Sequence, residues 1–405
     1  MTLRDYQIDI ISKGTEILNR RHLLYLALEV RTGKTIIALN IAKDFKTVLF
    51  VTKKKAIKSI ETDFFNSGLK FNLTVCNYES LHKIGKQYDC VIIDEAHGVG
   101  ALGKKPARLQ ALLLIKTDYH ILLSGTPTPE TFSQIYHQLA VSKHSPFSAY
   151  TTFYKWAKEF VNVKKKIIAY GTEINDYSDA NLNKILPFVK PIMITFTQSE
   201  AGFVNEINEH RLTVEMQPKT YHIANRLIKD LVIEGASGVI LADTPVKLQN
   251  KLHQIYSGTV KLECGKTVIL DDTKATFIKD YFKGKKLAIF YKFKAELDIL
   301  QNVFKDCLTT DISDFNDSSK HIAGQLLSIR EGVNLSKADA IVFYNLDFSN
   351  VSYKQARDRM TTLERKVSDV YFIFSKNGIE DKIYKTVTVD KKKYDLTAFK
   401  KDYGK

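Results

Sequence analysis

The stretch Tyr88-Asp89-Cys90-Val91-Ile92-Ile93-Asp94-Glu95-Ala96-His97 reads as a short buried strand running straight into an acidic turn. The unbroken apolar run through Ile93 suits a strand covered on both faces, as in a parallel sheet. Ligands of α/β proteins bind outside the carboxyl ends of such strands, where this turn falls. If this strand lies beside a phosphate-binding strand, Asp94 can hold Mg²⁺ there and Glu95 can orient an attacking water.

Upstream, Gly33-Lys34-Thr35 follows the apolar run 25–30 and opens a segment with Ile36, Ile37, Ala38, Ile41 and Phe45 at helical spacing. A phosphate loop needs that context. Backbone N–H groups and the positive helix end cradle phosphates, Lys34 reaches the outer ones, and the Thr35 hydroxyl ligates Mg²⁺. Three residues alone also match a chance helix cap, and the acidic turn downstream decides for ATP. The nucleotide-binding set is Arg31, Thr32, Gly33, Lys34 and Thr35, with Thr35 and Asp94 on the metal. The loop departs from the common pattern, carrying Leu28 and Arg31 where small residues are usual. Arg31 either contacts a phosphate or points away on a distorted loop.

Further outward, apolar runs at 47–52 and 120–123 and a helical segment at 55–65, closed by Gly68, complete a first α/β stretch. A second has runs at 286–291, 325–329, 340–346 and 370–374, with helical segments at 293–304 and 353–360. Such alternation predicts parallel sheets. Between them, 142–258 is rich in aromatic, Lys and Asn residues, with helical patterns at 153–160 and 219–233. The expected organisation is a domain over 1–141, a helical insertion and approach over 142–258, a second domain over 259–379 and a tail over 380–405. The fold class is α/β, two parallel-sheet domains in tandem.

A chain of 405 residues suits two or three domains. No run of about 18 apolar residues marks a transmembrane helix, and residues 1–7 do not open a signal peptide. Cys76, Cys90, Cys264 and Cys307 lie far apart without a CxxC pair, which argues against a zinc site or a disulfide framework. A cytoplasmic, monomeric protein without a membrane partner is expected. The net charge of +15 favours polyanionic partners, although charge alone decides nothing.

Taken in order, Leu3-Arg4-Asp5-Tyr6-Gln7, Gly33-Lys34-Thr35, Asp94-Glu95-Ala96-His97 and Ser124-Gly125-Thr126-Pro127 resemble the Q-type motif and motifs I to III of superfamily 2 helicases. The opening, Asn77-Tyr78-Glu79-Ser80-Leu81 and a helix directly after Pro127 are most similar to the Swi/Snf-type branch. In the second stretch, Leu287-Ala288-Ile289-Phe290-Tyr291 resembles motif IV. The segment ending in Gly332-Val333-Asn334-Leu335 resembles motif V, and Gln355-Ala356-Arg357-Asp358-Arg359 resembles motif VI. The motifs are collinear and span most of the chain.

That resemblance implies two RecA-like domains with Mg-ATP between them and a nucleic-acid-dependent ATPase that translocates on or unwinds DNA. It implies that Gln7 reads the adenine edge, that Gly332 joins the nucleotide set, and that Ser124 and Thr126 couple the ATP site to nucleic acid. Lys34, Glu95, Gln355 and Arg359 are the implied catalytic residues, Arg359 from the second domain. Motif VI departs from pattern: Asp358 replaces a glycine and Thr362 stands where a second arginine is usual, so Arg365 and Arg357 are the candidates for that arginine. Arg359 alternatively makes a surface ion pair with Asp358 or Glu364.

Thr52, Lys53, Lys54 and Lys55, followed by Lys292 and Lys294, suit phosphate contacts at strand ends, or simply face water. Lys164, Lys165 and Lys166 divide the same way. Trp156, amid Phe153, Tyr154 and Phe160, reads as core of the insertion. The branch favours duplex DNA over single-stranded DNA or RNA, and the compact chain suits a phage or bacterial source. The rivals are an RNA-directed remodeller and an ATP-gated clamp without turnover, the latter motivated by Arg31 and Thr362.

Overall fold

The computed structural model describes residues 2–167, 173–204, 206–329, 335–362 and 365–390. They form two compact units that divide between Gly202 and Phe203. Among the described residues no helix is long and apolar enough to cross a membrane.

The first unit opens with helix α1 (Asp5–Arg21) and strand β1 (Leu23–Leu28), followed by α2 (Lys34–Ile41), β2 (Thr47–Thr52), α3 (Ile57–Ser67) and β3 (Asn72–Asn77). Strands β4 (Cys90–Ile93), β5 (Tyr119–Leu123) and β6 (Met193–Phe196) complete a six-stranded sheet in the order β3-β2-β4-β5-β1-β6. Every pairing in it is parallel. The acidic strand β4 therefore does not lie beside the phosphate strand, as the sequence reading had it. The chain crosses over from β1 to β2, and β5 fills the gap between β1 and β4. Because all strands are parallel, the loop after β1 and the turns after β4 and β5 still emerge at one edge.

Alternation along β1 sends Leu23, Tyr25 and Ala27 into the core on one face of the sheet and Leu24, Leu26 and Leu28 into the core on the other. Trp156, Phe153 and Phe160 fill the first of these faces together with Leu49, Val91 and Leu122. Their rings do not form a core of their own, although the aromatic-rich sequence reads that way.

Residues 142–258, read from sequence as a helical insertion and the approach to the second domain, are shared between the units. Helices Phe153–Phe160 and Leu182–Val189 and the edge strand β6 belong to the first. Strand β7 (Glu206–Val214), helix α4 (Pro218–Asp230), helix α5 (Pro245–Tyr256) and the hairpin Val232–Gly235/Gly238–Leu241 belong to the second. The edge strand β7 carries mixed polar and apolar residues, so no apolar run marks it, and β6 is only four residues long.

The second unit adds β8 (Leu287–Tyr291), β9 (Leu308–Thr309), β10 (His321–Gln325), β11 (Ala340–Phe343) and β12 (Val367–Ser375). Their order is β9-β10-β8-β11-β12-β7, again all parallel. The apolar run expected as a strand at 325–329 is a short helix, Leu326–Ile329, with the strand just before it. Periodicity does not separate strand from helix over four residues. The tail begins with helix Glu380–Lys385.

Candidate functional site

The loop between β1 and α2 is held from three sides. Gly33 caps α2 with φ 83°, a left-handed conformation that glycine adopts at little cost. From the helix before it, Tyr6 donates its hydroxyl to the Thr32 carbonyl at 3.1 Å and Gln7 Nε2 donates to the same oxygen at 3.3 Å. From the loop after the edge strand, the Gln198 backbone N–H donates to Glu29 Oε2 at 2.7 Å and its Nε2 donates to the Val30 carbonyl at 3.0 Å. Within the loop, Lys34 Nζ donates to the carbonyls of Leu28 at 3.0 Å and Glu29 at 3.2 Å, and Thr32 Oγ1 donates to Glu29 at 2.7 Å. The result is a curled backbone with Lys34 drawn across it, as a phosphate cradle requires. Arg31 takes φ 65°, so the departure in sequence is also a departure in backbone.

Gln7, expected at the adenine edge, is engaged with the loop's own backbone. Its Oε1 accepts the Arg4 N–H at 3.0 Å while Nε2 serves Thr32, so the buried amide ties the start of α1 to the phosphate loop.

The acidic turn meets this loop at the same sheet edge. Asp94 accepts the Thr52 hydroxyl at 2.8 Å, and its carbonyl accepts the Tyr78 hydroxyl at 2.6 Å. Thr52 is thus spent on Asp94 rather than presented to a phosphate backbone, as the sequence suggested. Burial and then the neighbouring Glu95 carboxylate push Asp94 up to about 6, against the Thr52 hydrogen bond and the Lys34 charge. Glu95 sits in the left-handed region at φ 49°. His97 Nδ1 stands 3.2 Å from Glu95 Oε2 and 3.0 Å from Ser124 Oγ. Ser124 in turn accepts the Thr126 N–H at 3.1 Å. A Cβ on Gly125 would stand 3.5 Å from Lys34 Nζ and 3.4 Å from the Leu28 carbonyl, so the turn after β5 packs on the phosphate loop.

Lys34, Asp94, Glu95 and Ser124 are therefore gathered at one edge. Thr52, Tyr78, His97 and Gln198 belong to the same arrangement, and sequence reasoning missed those roles. Tyr78 and His97 lay inside quoted motifs; Gln198 lies in a loop with no pattern to mark it. Lys53 is half-buried and Lys54 exposed just beyond the tip of β2. Lys164 and Lys165 pair with Asp179 and Glu173, both at 2.7 Å.

In the second unit, Gly332 lies outside the described residues. Gln355 is buried and Arg359 half-buried. The two candidates for the second arginine have other work. Arg357 Nε bonds Asp358 at 2.9 Å and Nη1 bonds Glu209 at 3.3 Å, and those neighbours outweigh burial to raise its pKa. Arg365 donates to four backbone carbonyls, those of Val367, Ser336, Ala338 and Asp339, at 2.8 to 3.1 Å. Those carbonyls flank the amino ends of β11 and β12, the opposite edge from the one where such sheets bind ligands.

Among the described residues no group of three or more His, Cys, Asp or Glu side chains could hold a metal ion. A phosphate loop does not call for one, since its metal is held by one hydroxyl, one carboxylate and the phosphates.

A curled loop at a helix start and a carboxylate pair on the same sheet edge define a phosphate-loop α/β protein. The chain belongs to the SNF2-related domain family, whose family model matches residues 16–263. It is 22% identical over 367 residues to the ATP-dependent DNA helicase DDM1 of Arabidopsis thaliana, covering 78% of this chain and 47% of that protein. It is 24% identical over 395 residues to the ISWI chromatin-remodeling complex ATPase CHR17 of the same plant, covering 85% of this chain and 35% of the relative. The chain thus spans less than half the length of these relatives. Among solved structures it is similar to the Sulfolobus solfataricus SWI2/SNF2 ATPase core in complex with dsDNA, with TM-score 0.44 and 16% identity over all of this chain and 94% of that one.

Proposed function

We propose that this chain is an ATP-driven motor that tracks along duplex DNA. The observation that carries the reading is the meeting of Lys34, Asp94, Glu95 and Ser124 at one sheet edge, with His97 joining the last two. Family membership supports it, and the similarity to a DNA helicase and to a chromatin-remodeling ATPase points to DNA as the substrate.

Lys34 leaves the carbonyls of Leu28 and Glu29 to meet the outer phosphates, and the loop N–H groups hold the inner ones. Asp94 is a buried carboxylate with one hydroxyl partner and a raised pKa, so a hard dication beside it is favourable, and Thr35 and Asp94 would hold Mg²⁺. When bound, Mg²⁺ neutralises charge on the phosphates. Glu95 orients the water, and His97 carries the state of that carboxylate to Ser124. Arg359 is the proposed cation from the second unit, with Gln355 supporting its helix, because Arg357 and Arg365 are committed elsewhere.

The test is steady-state ATPase alone and with duplex DNA, single-stranded DNA and RNA at one salt concentration, paired with triplex displacement. Strong stimulation by the duplex with displacement supports the motor. Preference for RNA supports a remodeller, and ATP binding without turnover leaves a clamp. Glu95→Gln should keep nucleotide binding while turnover falls by about two orders of magnitude.

A further inference from the structure

The second unit holds a closed ring of hydrogen bonds at the carboxyl ends of its central strands, and one member, His253, comes from helix α5 outside the sheet. Lys292 follows β8 directly, Asn345 follows β11 by one residue, and Gln325 ends β10. The backbone N–H groups of Lys292 and Phe293 donate to Glu296 Oε2 at 2.7 and 2.9 Å. Asn345 Nδ2 donates to Glu296 Oε1 at 2.6 Å. Asn345 Oδ1 then faces His253 Nε2, and His253 Nδ1 stands 3.2 Å from Lys292 Nζ, which closes the ring. Gln325 Nε2 donates to the Lys292 carbonyl at 3.0 Å.

The tautomer follows from the partners. Asn345 Oδ1 accepts the Leu346 N–H at 2.8 Å, so Asn345 presents its NH₂ to Glu296 and its oxygen to His253. His253 Nε2 therefore carries the proton, and Nδ1 offers a lone pair to the Lys292 ammonium. His253, Glu296 and Asn345 are all buried, whereas Lys292 is half-exposed, flanked by the Phe293 and Phe348 rings at 5.1 and 5.6 Å. Backbone, carbonyl and ammonium of this one lysine are each held. The sheet order also places it well: from β8 the chain runs to β9 and β10 on one side, and β11 lies on the other. Such a switch point is where open α/β sheets bind ligands.

We propose that His253 is a positioning residue that, with Asn345 and Glu296, fixes the Lys292 ammonium as a phosphate contact on the bound strand. The proposal rests on the motor reading above. A freely moving lysine offers a phosphate a diffuse charge, and one held at base, carbonyl and tip offers it a placed donor.

The experiment measures affinity for a short blunt duplex over a range of salt for the intact chain, Lys292→Ala, His253→Leu and the double variant. His253→Leu leaves Asn345 Oδ1 satisfied, because it also accepts the Leu346 N–H at 2.8 Å, so the fold should hold. Lys292→Ala is expected to weaken binding and make the salt slope shallower by about one. His253→Leu is expected to weaken binding about fivefold in the native background and to change nothing in the Lys292→Ala background. If thermal melting shows His253→Leu unfolded, Glu296→Gln takes its place in the same cycle. An undiminished effect of His253→Leu in the Lys292→Ala background, or none in the native one, overturns the proposal. So does an unchanged slope for Lys292→Ala, while duplex-stimulated ATPase in the native chain would leave the motor standing. Absence of both duplex binding and stimulation in the native chain removes the motor reading itself.

Discussion

Gln7 Nε2 occupies the space into which a Cβ on Gly33 would project. The phosphate loop and the first helix are thus fitted to each other through a missing side chain. Gly33→Ala meets both that contact and a φ of 83°, a conformation that costs a Cβ-bearing residue about 1–2 kcal/mol. Nucleotide affinity should fall by about tenfold or more, read with a fluorescent ATP analogue. Because the contact is with a side chain, Gly33→Ala combined with Gln7→Ala should recover part of the loss. Equal loss in both variants would assign the whole effect to the backbone angle.

The His97–Ser124 contact gives a second expectation. Its 3.0 Å separation joins the acidic turn to the turn after β5, and Glu95 stands on the same ring nitrogen. Ser124→Ala removes the partner without touching the phosphate loop. Nucleotide affinity should stay within about twofold, while stimulation of ATPase by duplex DNA drops by about tenfold, as for loss of one buried polar contact. Stimulation at the native level would show that the contact does not carry the coupling.

The arginines of the second unit separate by their surroundings. Arg365 ties four carbonyls together at the amino ends of two strands, so Arg365→Ala should lower stability by about 2 kcal/mol. Its turnover per folded molecule should remain near native. Arg359→Ala should melt normally and lose about three orders of magnitude in turnover, the scale expected for a transition-state arginine. Melting curves beside ATPase rates decide between the two assignments, and a large catalytic loss with Arg365→Ala would reverse them.

These arginines also show how far the sequence could be read. Motif order located Lys34, Asp94, Glu95 and Ser124 because each chemistry needs a residue type at a strand tip, and strand tips announce themselves as apolar runs. Arg365 was a candidate only as the nearest arginine after Thr362, and sequence says nothing of which sheet edge its side chain faces. The order of β4 and β5 was equally hidden, since parallel strands read alike wherever they are placed in a sheet. Trp156 read as core correctly in kind, yet its core is the face of a sheet that includes β1, more than a hundred residues upstream. Long-range placement of that sort leaves no local signature. Gln198 and His253 act through two hydrogen bonds each from segments that no motif marks, and only the folded structure reveals them.

The buried histidines set a direction for acid sensitivity. Burial, then the nearby His144, holds His120 down to about 4, although Asp118 acts the other way. Its Nδ1 has no hydrogen-bond partner. Unfolded, the ring titrates near 6.5, so between about 6.5 and 4 the unfolded chain binds the extra proton. Stability from keeping this ring neutral is therefore complete above about pH 6.5, falls as pH drops, and is fully lost only below about 4. The span corresponds to about 3 kcal/mol for the first unit. His120→Leu replaces the ring with an apolar side chain that does not titrate. At pH 7.5 its melting temperature should lie near native, and by pH 5 the variant should be the more stable of the two. A difference that stays constant from pH 7.5 to 5 would mean that His120 already takes its proton in the folded state, and that its burial contributes nothing to the acid limit of the fold.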